Sequence, residues 1–531
     1  NLIFRFRKPL RDTRWLKWIV DIAVLSTLLP LLYPHPEHPW IPVLERILYS
    51  NAFMFSAIGA YSVVCLCSAI MKLIGRRTNP SLILSGSFLV FIIIGSLALM
   101  MPKCTVTPIS YTDSLFMATS AVCITGLSSI DIPTTLTPAG ILVMTVLIQA
   151  GGLGIVTFTS FFAIFFSGAP SIYNQLLIKD MIYSKSMNNL VPTLLYILGF
   201  TLAVEVIGAV AVYFTIPDAL GLGLSDRLMF AAFHSMSSFC NAGFSILPDG
   251  MANRTLMTGD QSIYIVTSVM IFAGAIGFPL LLNFKDKLVN FIRKIFSGAD
   301  NGTPEVIHLY DLNTKLVFAT TLSILAVCSA AFFILEYDNT LAGMSDYDKA
   351  VQSVFNSLTP RSAGFMSVNP AGFMPVTLLI VLIQMWIGGA SQSLAGGIKV
   401  NTVAAVTLSL RAVILGHRGA TAYNRRLSTG SVRRAYGVVT LSIIATIIYL
   451  TAVMLLEPQL SVKAVTFEVI SALFTVGSSL GITADLSDAS KIVLATAMFL
   501  GRVGILSLIM GFAGMSVDKS SHYPTENIII N

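Results

Sequence analysis

Four stretches of this 531-residue chain share one pattern: FMATSAVCITG at 116–126, FHSMSSFCNAG at 233–243, FNSLTPRSAG at 355–364 and FEVISALFTVG at 467–477. Each begins with Phe, continues with small or polar residues and ends at Gly. Successive glycines are 243 − 126 = 117, 364 − 243 = 121 and 477 − 364 = 113 residues apart. Solenoid repeats are shorter, at about 50 residues or fewer. The period fits two long helices, a short helix and their loops.

Small residues in one such stretch could serve helix packing alone. Four stretches in register, each starting with Phe and each lying between two apolar runs, favour a repeated structural unit instead. Two further apolar runs, at 15–33 and 51–72, precede the first unit and match nothing downstream. They predict an added N-terminal hairpin.

Composition indicates that the membrane is the solvent of this protein. Hydrophobic residues make up 55% of the chain, charged residues 11%, and the mean hydropathy is +0.80. Soluble domains carry about 25% charged residues. Apolar runs long enough to cross about 30 Å of hydrocarbon recur along the whole chain. The six cysteines have neither metal-ligand nor disulfide spacing and are interpreted as small core residues.

The glycine-ending stretches are too short to cross a bilayer and too apolar for ordinary external loops, so we expect them to re-enter the membrane. Non-helical backbone at membrane depth must be buried in protein or line an aqueous cavity. The predicted fold is therefore an all-α polytopic membrane protein with four membrane helix–pore loop–membrane helix repeats around a pseudo-fourfold pore, plus the N-terminal hairpin. It has ten spans and four pore helices. The predicted boundaries are 1–79 for the basic N-terminus and hairpin, 80–180, 181–300 and 301–430 for repeats 1 to 3, and 431–531 for repeat 4 and a short tail.

The basic residues, which give a formal charge of +7, lie in segments that this topology assigns to one side. These are 5–17, 72–77, 285–294 and 411–434. The positive-inside rule then predicts a multi-pass protein of the cytoplasmic (inner) membrane with both termini cytoplasmic. The loop at 411–434 fits either contact with anionic lipid or a cytosolic subunit.

Backbone carbonyls suit a dehydrated cation because a ring of them replaces its hydration shell without trapping it. Glycine permits the required backbone conformations, and each short helix directs its negative C-terminal end at the axis. One glycine per loop predicts one ring of four. These features alone predict that the transported ion is a monovalent cation.

The loop residues resemble the Trk/Ktr/HKT superfamily of potassium transporters, specifically its bacterial membrane subunits. The resemblance covers about 80–515 and rests on these motifs: Thr125-Gly126-Leu127, Cys240-Asn241-Ala242-Gly243-Phe244, Arg361-Ser362-Ala363-Gly364-Phe365, Thr475-Val476-Gly477 and GGASQSLAGGIK at 388–399. It implies K⁺ bound at filter carbonyls of the following residues: Thr125, Gly126, Asn241, Ala242, Gly243, Ser362, Ala363, Gly364, Val476 and Gly477. In this family a serine at the first filter glycine accompanies sodium preference in plant members, and Gly126 therefore favours potassium. The fourth loop also contains Gly481, which could share this role.

A gate is predicted from the second span of repeat 3, at about 373–411. Two glycine pairs interrupt it, and glycine costs a helix about 1 kcal/mol per residue. We interpret it as a broken helix with a mobile loop beneath the filter; a kinked helix in close packing is the alternative. Arg502, within the last span, should face the pore or a partner, so it is either part of the gate or a structural partner of a carbonyl or an acid. The predicted gate residues are Gly388, Gly389, Gly396, Gly397, Lys399 and Arg502.

Other charged residues have more ordinary interpretations. Acids at or before the pore helices are expected to complement helix N-termini; these are Asp113, Asp226, Asp348 and Glu468. Glu205 is expected to make an interhelical hydrogen bond, and Arg361 to brace the third loop from behind. His234 is expected to brace the second loop and not to bind a metal.

No catalytic constellation and no Walker-type loop occurs in the sequence, so we expect neither an enzyme nor a cofactor in this chain. The resemblance implies a homodimer resting on cytosolic nucleotide-binding regulatory subunits of the TrkA/KtrA kind, which alone would hold nucleotide. Besides these, the expected partner is the lipid bilayer, with no nucleic acid. Two alternatives stay open: a sodium-preferring uniporter, and the pore subunit of a potassium-pumping ATPase.

Overall fold

A computed structural model describes residues 80–154, 190–277, 312–417 and 419–513, with isolated residues elsewhere (24–27, 50, 53–54, 61–62, 65 and 280). The predicted N-terminal hairpin lies almost wholly outside this part, as do the segments 155–189 and 281–311. The described part is predominantly helical. Its one sheet is a two-residue hairpin, β1 (Thr421–Ala422) paired with β2 (Arg425–Arg426).

The described helices form four similar groups, each with a long helix, a short helix, a loop and a second helix. The long helices are α1 (Pro80–Leu99), α5 (Leu190–Thr215), α9 (Leu312–Glu336) and α13 (Thr429–Leu456). The short helices are α2 (Tyr111–Val122), α6 (Leu224–Phe239), α10 (Asp346–Leu358) and α14 (Val462–Leu473). The second helices are α4 (Pro138–Gly152), α8 (Ser262–Ile276), α11 (Pro375–Trp386) with α12 (Val400–Ile414), and α15 (Asp488–Val503) with α16 (Ile505–Ala513). Single turns α3 (Ile132–Thr135) and α7 (Arg254–Thr258) lie in the loops.

The groups close into a circle. The second helix of each group packs against the short helix of the next: α4 against α6, α8 against α10, α11 against α14, and α15 against α2. The four phenylalanines that begin the sequence pattern, Phe116, Phe233, Phe355 and Phe467, are all buried in the short helices. The core therefore surrounds the four loops.

Serine caps fix where three short helices begin. The hydroxyls of Ser110, Ser345 and Ser461 accept the backbone N–H of the third residue after each. Such a cap satisfies one of the N–H groups that have no partner within the helix. The fourth short helix, α6, follows Gly223 and has no side-chain cap.

Two buried carboxylates join the long helix to the second helix within a group. Glu336, the last residue of α9, accepts the backbone N–H of Met374, the residue before α11, at 2.9 Å. Glu457, directly after α13, accepts that of Ser487, the residue before α15, at 2.8 Å. An acid at a helix N-terminus also complements the helix dipole. The same connection therefore recurs in the third and fourth groups.

The helix predicted across 373–411 is interrupted between Trp386 and Val400. Residues 387–399, called here the inner segment, form an irregular loop with a turn at 391–394, and a β-bridge joins Ile387 to Ile398. The last predicted span is also divided, at Gly504, whose φ is +90°. Arg502 thus lies in the final turn of α15 and not in the middle of a span.

Three helices in the described part are long and apolar enough to cross a membrane: Leu195–Thr215, Leu312–Glu336 and Thr429–Leu456. Five shorter apolar helices accompany them. The architecture is that of a helical membrane protein.

Candidate functional site

The four loop glycines lie next to one another in a ring. A Cβ built on Gly126 would lie 2.5 Å from the carbonyl oxygen of Ala242, and one on Gly243 would lie 2.7 Å from that of Ala363. The same construction on Gly364 reaches Val476 at 2.5 Å, and on Gly477 it reaches Thr125 at 2.1 Å. Each glycine therefore faces the loop of the next group, and the fourth faces the first. A side chain at any of these positions would displace the neighbouring backbone.

Every loop has the same backbone conformation. The glycines have φ of +93°, +73°, +74° and +98° in chain order. Positive φ also occurs two residues earlier, where no glycine is present: at Ile124, Asn241, Ser362 and Thr475. Positive φ is uncommon in residues with a side chain, especially β-branched ones, and such strain clusters at functional sites. The residues between, Thr125, Ala242, Ala363 and Val476, are completely buried.

A repeated hydrogen bond holds this conformation. The backbone N–H of Thr125 donates to the carbonyl of Ser120 at 2.8 Å, and the N–H of Val476 donates to Ser471 at 2.8 Å. The equivalent bonds join Ala242 to Ser237 and Ala363 to Thr359. The accepting residue carries a hydroxyl in all four loops and lies four positions after the buried Phe. This hydroxyl residue was not among the predicted site residues, although its spacing from the phenylalanine is visible in the sequence.

One cavity of about 460 Å³ opens onto all four glycines. Its walls are the residues that follow the glycines, including Ser128, Phe244, Phe365 and Ser479, and two carboxylates, Asp131 and Asp249, line it. Gly481 also lines the cavity, but a Cβ there would meet no atom within 4 Å. Gly477, and not Gly481, therefore packs in the ring.

The inner segment covers the opposite side of the ring, because it contacts residues that precede the glycines. The N–H of Gly396 donates to the Ser362 hydroxyl at 2.7 Å, and that hydroxyl donates to the carbonyl of Thr475 at 2.7 Å. A Cβ on Gly396 would lie 1.7 Å from Thr475 Oγ1. The segment therefore lies directly against two of the loops.

The other predicted gate residues hold the inner segment together. Gly388 donates to the carbonyl of Ile398, and a Cβ on it would lie 1.8 Å from the Gly396 oxygen. Gly389 accepts from Val400, and Gly397 packs against Gly388 with a φ of +69°. Lys399 Nζ donates to the carbonyl of Ala395 at 2.6 Å.

Arg502 connects the inner segment to the first group. It donates to the carbonyl of Leu394 at 2.7 Å and to that of Gly151, at the end of α4, at 2.7 Å. Arg502 therefore lies at the glycine-rich segment with carbonyl oxygens as its partners, and its part in a gate stays a prediction.

The remaining predicted residues are near the loops but outside the ring. Arg361 is buried and donates to the Gly388 carbonyl at 3.3 Å, which links the third loop to the inner segment. Glu205 accepts from Gln149 of α4 at 3.3 Å, the expected interhelical hydrogen bond. His234 pairs with Thr267 of α8 at 2.9 Å, so its polar contact is with a helix and not with its own loop.

The placement of Glu468 at a helix N-terminus is wrong. Asp113, Asp226 and Asp348 lie in first turns, but α14 begins at Val462, and Glu468 is in its middle with no exposed surface. The helix begins earlier than expected because Ser461 caps it. The Glu468 carboxylate instead accepts hydroxyls from Ser479, at 2.8 Å, and Thr483.

Known proteins share this architecture. The profile of the TrkH family, described as "Cation transport protein", matches residues 75–523. The chain is 31% identical over 450 residues to Ktr system potassium uptake protein B of Bacillus subtilis, covering 84% of this chain and 96% of that relative. It is 30% identical over 471 residues to potassium/sodium uptake protein NtpJ of Enterococcus hirae, covering 86% and 99%. The crystal structure of the potassium transporter TrkH from Vibrio parahaemolyticus superposes with a TM-score of 0.64 at 19% identity, over 95% of this chain and 98% of that one.

The matched residues include all four loops, the inner segment and Arg502, and the resemblance to the Trk/Ktr/HKT superfamily is confirmed. This chain belongs to the TrkH family of cation transport proteins.

Proposed function

We propose that this protein takes up potassium across the cytoplasmic membrane through a selectivity filter formed by the four loops. The observation that carries the proposal is the cavity onto which Gly126, Gly243, Gly364 and Gly477 all open. Four loops from four parts of the chain meet at this one cavity, and a single methyl group on any of the four glycines would clash with the neighbouring loop.

The chemistry of the ring suits a monovalent cation. Short helices α2, α6, α10 and α14 end just before the loops, so their negative ends favour positive charge there. Backbone carbonyls supply neutral oxygen dipoles. The buried hydroxyl oxygens of Thr125 and Thr475 have no hydrogen-bond partner in the described part of the chain, which leaves them free to contact an ion.

Potassium is favoured over sodium by two observations. One of the relatives described above is named for potassium uptake, and one for potassium/sodium uptake. The first loop has glycine at 126, with no room for a serine side chain. A sodium-preferring uniporter is the second candidate, supported by the potassium/sodium name of one relative.

The inner segment and Arg502 are proposed as the gate. The segment lies against Ser362 and Thr475 on the side of the ring away from the cavity, and an ion leaving the filter there would meet it. Arg502 adds positive charge at Leu394 and ties the segment to α4. Cations would pass when the segment withdraws.

A cytosolic regulatory subunit is the proposed partner of a homodimeric transporter. The β1–β2 hairpin exposes Arg425 and Arg426, and α13 begins with the exposed Arg433 and Arg434. This basic surface suits an acidic protein face, and the relatives named as members of a Ktr system are consistent with a multi-component assembly. Both termini are proposed to be cytoplasmic, as the positive-inside rule predicts from the basic segments of the sequence.

The proposal is tested in a bacterial strain lacking its own potassium uptake. Wild-type protein should restore growth at low potassium, and unlabelled K⁺ should compete with ⁸⁶Rb⁺ uptake better than Na⁺ does. Gly126→Ser should reduce that preference. Stronger competition by Na⁺ in the wild type would support the sodium uniporter, and a co-purifying ATPase subunit would support the pump.

A further inference from the structure

Each short helix carries a buried residue directly after its phenylalanine, at the same place behind the loop. Three of these four residues contact a hydroxyl that lies two or three positions after the loop glycine. The pairs are Met117 with Ser128 at 3.4 Å, Asn356 with Ser367 at 2.8 Å, and Glu468 with Ser479 at 2.8 Å. The helix and the chain leaving the ring are thus tied together behind the filter.

The fourth group has the strongest such tie. One carboxylate oxygen of Glu468 accepts the Ser479 hydroxyl and the other accepts the Thr483 hydroxyl. Ser479 Oγ in turn accepts the N–H of Gly481 at 2.9 Å. Glu468 therefore holds this chain at two hydroxyls, whereas Met117 contacts one hydroxyl through its sulfur and Asn356 contacts one through its amide.

The position of Ser479 gives this tie a route to the ion. Ser479 lines the cavity and is two residues after Gly477, whereas Glu468 is completely buried and is not among the residues that line the cavity. A binding site discriminates between ions when its ligands are held in place by a supporting layer of contacts. Loss of the carboxylate would let the chain after Gly477 move.

We propose that Glu468 is a specificity-determining positioning residue, which holds the fourth loop through Ser479 and Thr483 and thereby sets the preference for potassium over sodium. This inference rests on the proposed function of the glycine ring as the filter.

The test measures ⁸⁶Rb⁺ uptake by the full-length protein in competition with K⁺ and with Na⁺, and takes the ratio of the two half-inhibitory concentrations. Glu468→Ala should reduce potassium preference about tenfold, the effect of losing roughly one strong interaction. Glu468→Gln keeps the size and one acceptor and should retain most of the preference. Thr483→Val keeps the shape and removes one donor, so it should reduce the ratio about threefold. Thr483 also donates to Ser479 Oγ at 2.9 Å, so adding Thr483→Val to Glu468→Ala should change the ratio by less than Thr483→Val does alone.

Glu457→Gln is the matched control. Glu457 is also a buried carboxylate of the fourth group, with Ser487 and Ser490 as donors, but it joins α13 to α15 and does not contact the loop. Glu457→Gln should lower the unfolding temperature and leave the ion ratio unchanged. An equal loss of preference in Glu457→Gln would overturn the proposal, since it would reveal a general effect of stability.

An unchanged ratio in Glu468→Ala would also overturn it. If that variant does not fold, an unchanged ratio in both Thr483→Val and Ser479→Ala has the same consequence. If the filter assignment itself is wrong, Gly126→Ser protein will show the same ratio as the wild type. If only the proposed role of Glu468 is wrong, Gly126→Ser will still reduce the ratio.

Discussion

The glycine ring and the inner segment both depend on glycine, but for different reasons. In the ring, all four glycines combine positive φ with contact to the next loop. In the inner segment, Gly388 and Gly396 have ordinary φ, and what excludes a side chain is contact with Gly396 and Thr475 respectively. The ring contains the same kind of loop four times, whereas the inner segment occurs once among the described residues.

Because of this difference, we expect the glycine ring to be rigid and the inner segment to be able to move away from it. Each ring loop is held by bonds within itself: Thr125 and Gly126 donate to Ser120, and Val476 and Gly477 donate to Ser471. The inner segment also has internal hydrogen bonds, such as that from Gly388 to Ile398, but it is attached to the ring and its surroundings by contacts with other elements: Ser362, Arg361, Arg502 and the end of α8. Contacts between elements can be exchanged without unfolding either one. Substitutions in the ring should therefore lower the uptake rate, and substitutions in the inner segment should raise it.

The largest effect is expected for Gly477→Ala. The new Cβ would lie 2.1 Å from the Thr125 carbonyl, and overpacking of this kind with positive φ costs about 3 kcal/mol or more, roughly 100-fold in uptake rate. Gly481→Ala is the control because Gly481 has a similar φ of +93° with no atom in the way. Uptake of ⁸⁶Rb⁺ should be lost in the first and largely kept in the second. Equal losses would mean that backbone strain, and not the ring, matters.

Arg502→Gln should raise the maximal uptake rate about fivefold, since it weakens two charge-assisted hydrogen bonds and removes a positive charge below the ring. Arg227→Gln provides the comparison. Arg227 also donates to backbone carbonyls, those of Tyr213 and Ile216, but is far along the chain from the segment. Unchanged or lower uptake in well-folded Arg502→Gln protein would count against the gate.

The circle of helices closes between the fourth and first groups through an ion pair, and its loss should affect stability more than ion preference. Lys491 Nζ lies 2.9 Å from Asp113 Oδ1. Both side chains are partly exposed, so after allowance for solvent screening Asp113→Asn should cost about 1 kcal/mol of unfolding free energy. A changed ratio of K⁺ to Na⁺ competition would show instead that the pair shapes the filter.

The pH dependence of that variant has a defined sign. Burial tends to raise the pKa of Asp113, but hydrogen bonds from Lys491 and Ser110 outweigh it and hold the pKa below the usual value. A lowered pKa contributes stability that is present above the unfolded pKa of about 3.9 and is lost as pH falls through the folded value. Unfolding temperatures of wild type and Asp113→Asn should therefore differ at pH 7 and converge only as the pH falls below the lowered pKa of Asp113 in the folded protein.

Much of this architecture could be predicted from the sequence because its signals are local. The Phe-to-Gly pattern identified the loops, and the two glycine pairs identified the interruption of the helix between Trp386 and Val400. The family followed from the same residues. The N-terminal hairpin lies outside the described residues and stays a prediction.

Other features could not be predicted because they depend on contacts across the fold. Glu468 looked like a helix-starting acid, since the cap at Ser461 and the donors Ser479 and Thr483 become partners only when the loop turns back. The side chain of Leu394 has no polar group that would identify it as a partner of Arg502, which contacts its backbone carbonyl. Glu336 and Glu457 are likewise far in sequence from the helices that they bind.

The smallest predicted effect tests whether the ring is equivalent in its parts. Ser120 Oγ accepts the N–H of Gly126 at 3.1 Å, and Ser471 Oγ accepts that of Gly477 at 3.0 Å. Removing either hydroxyl loses one neutral hydrogen bond of about 1 kcal/mol, so Ser120→Ala and Ser471→Ala should each raise the KM for potassium by a similar factor, about threefold.

Ser393→Ala in the inner segment is the control, because its buried hydroxyl makes no hydrogen bond within the described residues and KM should not change. Similar increases in KM for Ser120→Ala and Ser471→Ala, with no change for Ser393→Ala, would mean that the first and fourth loops contribute equally to ion binding. A shift confined to Ser471→Ala would mean that the fourth loop, braced by Glu468, dominates selection.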